Sequence, residues 1–154
     1  MVEGKYITAM EDMSGLREIW QKVLLEECGW TSQMLDLDEE KLKLHAIAFE
    51  GTEKRPVAAG TIEYGEDAFF ISNIAVLKEK RRTGYGDFIV RMLVNKAVIT
   101  GGMPVRAEVT KEAEPLFQEV GFQADGVTYE KNGIVFCPYQ LLQSQIKSCC
   151  DCSK

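Results

Sequence analysis

The sequence predicts an α/β fold, α+β by some schemes, built on a mixed sheet. Three observations predict it. Runs with the two-residue period of strands alternate with runs of helical period along the chain. One strand-like run, Phe69 to Val76, leads into a basic glycine loop and then an apolar helical pattern. Near the end, Asn132-Gly133 separates two strand-like runs, the signature of a hairpin with a type I′ turn.

The 154 residues suit one domain, large enough for a real core. With 24 acidic against 18 basic residues the net charge is −6, so the basic face that general nucleic-acid binding needs is not expected. No apolar run approaches a membrane span. Met1-Val2-Glu3-Gly4-Lys5 begins no signal peptide, and a cytoplasmic location is the expectation. The five cysteines, Cys28, Cys137, Cys149, Cys150 and Cys152, are read as free thiols. Three of them crowd a C-terminal tail expected over 143–154, after a single domain over 1–142. They lack the distant second pair that a structural zinc site needs, and no metal is expected.

Lys5 to Met10 reads as a first strand. Asp12 or Ser14 can cap the amphipathic helix that follows, Met13 to Cys28, whose stripe is Leu16, Ile19, Trp20, Val23 and Leu24. Gly29 stops it, and Trp30 to Glu40 reads as a loop with a short helix. His45, Ile47 and Phe49 alternate with alanines as in a strand, and Arg55 to Tyr64 gives the next. His45 is the only histidine and is expected to be a satisfied strand residue, which disfavours serine-hydrolase chemistry.

The strand from Phe69 to Val76 is followed by Lys78-Glu79-Lys80-Arg81-Arg82-Thr83-Gly84-Tyr85-Gly86-Asp87. Glycines let backbone approach a ligand, and a helix that opens on such a loop offers free N–H groups and a positive dipole end. Phosphate is the usual occupant of such a start. Arg81 and Arg82 would add charge-assisted contacts. The loop lacks the spacing and lysine of a P-loop. It also carries Ile89 where a dinucleotide fingerprint needs its third glycine. The helix runs from Asp87 to Ile99, apolar nearly all round, with Asp87, Arg91 and Asn95 forming a polar stripe, so it is expected to be largely buried. Val105 to Val109 is another strand. A short helix follows, with Pro115 in its first turn and Gly121 at its end. Val127 to Lys131 and Ile134 to Tyr139 form the hairpin.

Arg81-x-x-Gly84-x-Gly86, placed directly after a strand ending in Ile-Ala-Val, resembles motif A of the GCN5-related N-acetyltransferases. The helix closing in Leu116-Phe117-x-x-Val120-Gly121-Phe122 resembles motif B of the same family, in the right order. The resemblance covers nearly the whole chain and is weakest before His45. It implies an acyl-CoA N-acyltransferase fold, with a mixed sheet of about six to seven strands and about four flanking helices. It implies acetyl-CoA as cosubstrate, its pantetheine arm pairing with backbone of Ile74, Ala75 and Val76. Its pyrophosphate would lie on the loop Arg81, Arg82, Thr83, Gly84, Tyr85, Gly86 and Asp87, with Thr110 and Phe117 lining the arm. The Val76 N–H would be the oxyanion donor, and Glu63 and Glu108 are candidate bases. Trp30, Met34 and Leu35 border the region where the family binds its acceptor.

The chain departs from the family at Phe117, where many members carry a tyrosine acid, and at Thr110, where asparagine is common. The expected reaction is acetyl transfer to a primary amine of a small molecule or peptide by direct attack. No nucleic acid or membrane partner is expected, and a homodimer stays open. The rival reading is a coenzyme A-binding sensor or interaction domain without turnover. A nucleotide-binding regulatory domain is disfavoured, because both phosphate fingerprints fail.

Overall fold

A computed structural model describes residues 2–8, 11–35, 37, 42–101 and 104–142. The strands are β1 (Val2–Ile7), β2 (Lys43–Glu50), β3 (Arg55–Tyr64), β4 (Phe69–Val76), β5 (Val105–Thr110), β6 (Gln123–Ala124), β7 (Tyr129–Lys131) and β8 (Ile134–Leu141). They form one sheet in the order β1-β2-β3-β4-β5-β8-β6, with β7 also on β8. The helices are α1 (Ser14–Trp20), α2 (Tyr85–Thr100) and α3 (Glu114–Val120). The tail with Cys149, Cys150 and Cys152 lies outside the described residues.

Local chemistry explains most boundaries. Asp12 accepts the Ser14 N–H at 3.0 Å from just outside α1, whose N-cap position, Met13, carries no side-chain cap. The expected long first helix is α-helical only to Trp20 and continues as a π-helical stretch, Gln21–Glu27. Cys28 N–H donates to Val23 O and Trp30 N–H to Leu24 O, wider steps than an α-helix makes. The loop with a short helix expected after Trp30 is found, among the described residues, as a 3₁₀ turn, Ser32–Leu35. β1 lies three residues earlier than expected, pairing Val2 with Glu50 through Ile7 with His45. At the hairpin tip Asn132 and Gly133 both have positive φ, 54° and 80°, as a type I′ turn requires. β6 and β7 are short pieces against β8 and raise the strand number to eight.

Helix α1 covers one face of the sheet and α2 the other. A Cβ on Gly15 of α1 would meet Ile47 of β2, whereas one on Gly4 of β1 would meet Phe88 and Met92 of α2. Trp20, Leu16, Ile19, Ile89, Val90 and Leu93 are fully buried between helices and sheet. Asp87 pairs with Arg91 on the polar stripe of α2.

His45 sits in the core on the α1 side, 2% exposed. Its Nδ1 lies 2.8 Å from Thr61 Oγ1, and its ring packs edge-on against Trp20 at 5.4 Å. Burial, with Lys43 and Arg17 adding, lowers its pKa from 6.5 to about 4. The folded chain therefore favours the neutral ring, while the unfolded chain binds a proton near the ordinary value. The stability this gives is complete above pH 6.5 and is lost as pH falls towards about 4. The loss amounts to about 3 kcal/mol. Urea unfolding should show wild type losing about 2–3 kcal/mol more than His45→Gln between about pH 7 and 4.5. Equal losses would contradict the assignment.

Candidate functional site

The site is built where β4 and β5 part. They are parallel neighbours paired only at Phe69–Val105, Phe70–Arg106 and Ile71–Ala107. Just beyond, β4 bulges: between Thr61–Ser72 and Ala59–Ala75, the two residues Asn73 and Ile74 face the single residue Gly60. Gly60 lets the bulge and α2 pack closely, since a Cβ would stand 2.5 Å from Ile74 Cδ1 and 2.9 Å from Ile89 Cγ2 and force those side chains to shift. Asn73 takes φ 57°, a left-handed conformation that asparagine tolerates better than most residues. Trp20 Nε1–H holds its carbonyl at 2.8 Å, and its own Nδ2–H donates to Leu35 O at 2.9 Å. The bulge bends β4 away from β5 and leaves an open edge.

Leu77 N–H donates to Val57 O, so by alternation Ala59–Ala75 is also a hydrogen-bonded pair and Ala58–Val76 is not. The peptide groups of Val76 therefore face the gap, while those of Ala75 face β3. Arg81 Nε–H donates to Val76 O at 3.1 Å and closes the far end of that edge.

The gap leads to the start of α2. Gly84 has φ 93° and accepts from Phe88 N–H, and no side chain caps the helix. The N–H groups of Tyr85, Gly86 and Asp87 form its first turn and have no helical acceptor. The sixteen-residue helix adds its dipole to this point. Tyr85 is anchored by its hydroxyl to Glu50, which also binds Lys80. Thr83 Oγ1–H donates to Lys80 O at 2.5 Å. Arg82 takes φ 64° and, like Lys78, is exposed.

Two residues of this loop are placed otherwise than expected. Arg81 points its guanidinium at Glu27 of the π-helical stretch, with bonds of 2.5 and 2.7 Å, rather than over the loop. That partner holds the Arg81 pKa above its ordinary value and the Glu27 carboxyl below its own. Gly86 is close-packed: a Cβ there would meet Leu116 Cδ2 at 3.0 Å and Val76 Cγ2 at 3.6 Å. It serves the contact of α2 with α3, whereas Gly84 has open space around it and is required by its φ.

On the α1 face the fork opens into a cavity of about 410 Å³. Glu63 and Glu108 both line it, as do Trp30, Met34 and Leu35. Glu108 stands one residue beyond the last β4–β5 pair. Glu63 lies on β3, opposite Phe70, with Lys43 Nζ 3.9 Å away. Trp30 meets Phe136 edge-on at 6.0 Å, and Tyr129 stacks on the same ring at 5.9 Å. Burial, and then Glu108 nearby, raise the Tyr129 pKa. Thr110 ends β5 opposite Phe136.

Phe117 is turned into the core instead of towards the gap. It is 3% exposed and packs edge-on against Phe122, on the face of α3 that also buries Val120. A phenol that sequence reasoning missed, Tyr139, stands beside α3. It donates to Glu114 Oε1 at 2.8 Å and accepts from Gln118, and burial followed by Glu114 raises its pKa. Asn73 was also missed; an asparagine inside the apolar run Phe-Ile-Ser-Asn-Ile-Ala-Val was the signal for a bulge. Among the described residues no three His, Cys, Asp or Glu side chains gather as metal ligands, and no helix is long and apolar enough to cross a membrane.

Comparison with known proteins agrees with this architecture. An acyl-CoA N-acyltransferase from Pseudomonas aeruginosa superposes with a TM-score of 0.75 at 17% identity, covering 91% of this chain and 99% of that one. Escherichia coli ElaA gives 0.74 at 17% identity over 90% and 99%. The ribosomal-protein-S18-alanine N-acetyltransferase of Escherichia coli gives 0.71 at 17% identity over 98% of each chain. At these identities the likeness is one of fold. No curated protein sequence matches significantly. The family model of the acetyltransferase (GNAT) domain matches residues 12–143, so the chain belongs to the GNAT acetyltransferase family.

Proposed function

We propose that the protein is an N-acetyltransferase that moves the acetyl group of acetyl-CoA to a primary amine of a small molecule or peptide. The observation that carries this is the open β4 edge ending at an uncapped glycine start of a helix. The residues present fit the cosubstrate. Val76 offers the second lone pair of its carbonyl to an extended amide-bearing arm and keeps its N–H for the acetyl oxygen, and the first turn of α2 offers N–H groups to a pyrophosphate. Lys78 and Arg82 add exposed positive charge there. Arg81 acts from behind by fixing Val76 O and Glu27. A single domain over 1–142 and a cytoplasmic location belong to the same reading.

Acetyl-CoA supplies an activated thioester. A neutral amine nitrogen attacks its carbonyl carbon, the new C–N bond forms, and the C–S bond breaks. The Val76 N–H receives the oxyanion, a contact worth about 2.7–4 kcal/mol in comparable sites. Glu108, at the fork, takes the proton lost by nitrogen, directly or through water. The departing thiolate has an ordinary pKa near 8.5, so it leaves without a strong acid and gains its proton from solvent. Phe117 then needs no acidic role.

Thiol release from acetyl-CoA over a panel of primary amines tests the reading. Release above the amine-free rate is expected. Saturable acetyl-CoA binding with no release for any amine would favour the binding domain without turnover.

A further inference from the structure

Among the described residues, two buried side-chain polar atoms lack a well-formed hydrogen bond, Asn73 Oδ1 and Tyr129 Oη, the latter still close enough to interact with Glu108. Both belong to residues at the cavity of the β4–β5 fork: Asn73 lines it, and Tyr129 stacks on its wall residue Phe136. Asn73 is 2% exposed. Its backbone is fixed by Trp20 and its amide plane by Leu35 O, so it cannot swing away to find a partner. A buried acceptor left unpaired is costly, and a ligand donor that reaches it recovers that cost.

The surroundings narrow the donor. Leu35, which holds the Asn73 amide, lines the cavity with Trp30, and so does Glu108. The donor therefore arrives from the acceptor side. Trp30, Phe136 and Phe70 give the cavity aromatic walls, and Phe70 is 40% exposed with room for a partner. Three carboxylates, Glu63, Glu108 and Asp125, face two cations, Arg106 and Lys131.

We propose, resting on the transferase reading above, that Asn73 Oδ1 accepts a hydrogen bond from the reacting nitrogen and selects a primary amine carried on an aromatic or apolar body. A neutral primary amine has two N–H bonds and a lone pair. The lone pair forms the C–N bond as the C–S bond breaks. One proton leaves to Glu108, and the other stays on nitrogen, donated as a hydrogen bond to Asn73 Oδ1. A secondary amine has a single proton for both tasks and must give up the Asn73 contact as that proton is removed. An amide suits this work because its Nδ2–H stays on Leu35 O while its oxygen is left to accept from the amine. The small rearrangement that admits the amine falls on the cavity side chains of Trp30, Met34 and Leu35.

The test compares phenethylamine with N-methylphenethylamine by thiol release, using wild type, Asn73→Gly and Asn73→Asp. Glycine accepts φ 57° and removes the oxygen; aspartate keeps an acceptor there. Wild type is expected to prefer the primary amine. Asn73→Gly should lose about tenfold to a hundredfold in kcat/KM for the primary amine, with the secondary amine changed by less than about threefold. Acetyl-CoA affinity, read by calorimetry, should be unchanged, and Asn73→Asp should retain the preference. An unchanged ratio in Asn73→Gly, a ratio that shifts only because the secondary amine speeds up, or a lost preference in a folded Asn73→Asp overturns the proposal. So does turnover of other amines but not of phenethylamine. Failure of wild type with every amine overturns the transferase reading itself.

Discussion

Replacing Glu108 by glutamine should lower kcat about 10²–10⁴-fold, the contribution a positioned base makes. Glutamine keeps the shape and can still accept a hydrogen bond, so the change isolates basicity. The position argues for this residue. Glu108 comes directly after Ala107, the last β5 residue still paired with β4, and so stands where the two strands separate. Glu63 is a full strand away on β3, and Lys43 lies 3.9 Å from its carboxylate. Glu63→Gln should therefore cost less than about tenfold, a change below about 1.4 kcal/mol. Acetyl-CoA affinity should stay within about threefold in both variants. Steady-state kinetics with calorimetry separates the two effects. Wild-type turnover in Glu108→Gln would move the proton acceptor elsewhere.

Gly84→Val should weaken acetyl-CoA binding about tenfold to a hundredfold. Gly84 holds φ 93°, and a β-branched residue forced there costs about 1–3 kcal/mol. Nothing lies within 4 Å of its missing Cβ, so crowding plays no part. Relief of the strain rotates the peptide and turns the first N–H groups of α2 off the anion. Gly86→Val acts differently. Its side chain would push on Leu116 and loosen α2 against α3, so stability should fall along with affinity. Calorimetry beside urea unfolding distinguishes the two. Full affinity in folded Gly84→Val would contradict the helix-start site.

The sequence made this fork legible to different degrees. The strand, basic loop and helix were readable because each is a local pattern, and Asn132-Gly133 encodes its turn within two residues. The pairing of Arg81 with Glu27 was not readable. It joins residues 54 apart, and only the packing of the π-helical stretch beside the end of β4 brings them together. The same holds for Trp20 and Asn73, 53 apart. Helical spacing marks Trp20 as core but cannot say that its N–H anchors a bulge. Phe117 misled for a related reason. Its motif position fixes which helix it occupies, while the packing of Phe122 fixes that its ring turns inward. The packing role of Gly86 against Leu116 was not readable either, because spacing alone does not show which helix will lie beside it.

Backbone amide NMR during an acetyl-CoA titration tests the central claim most directly. The largest shifts should fall on Val76, Gly84, Tyr85, Gly86 and Asp87, saturating together at one ligand per chain. Shifts confined to other parts of the sheet, such as the β1–β2 edge, or none at all, would contradict the claim that the β4–β5 fork holds the acetyl donor.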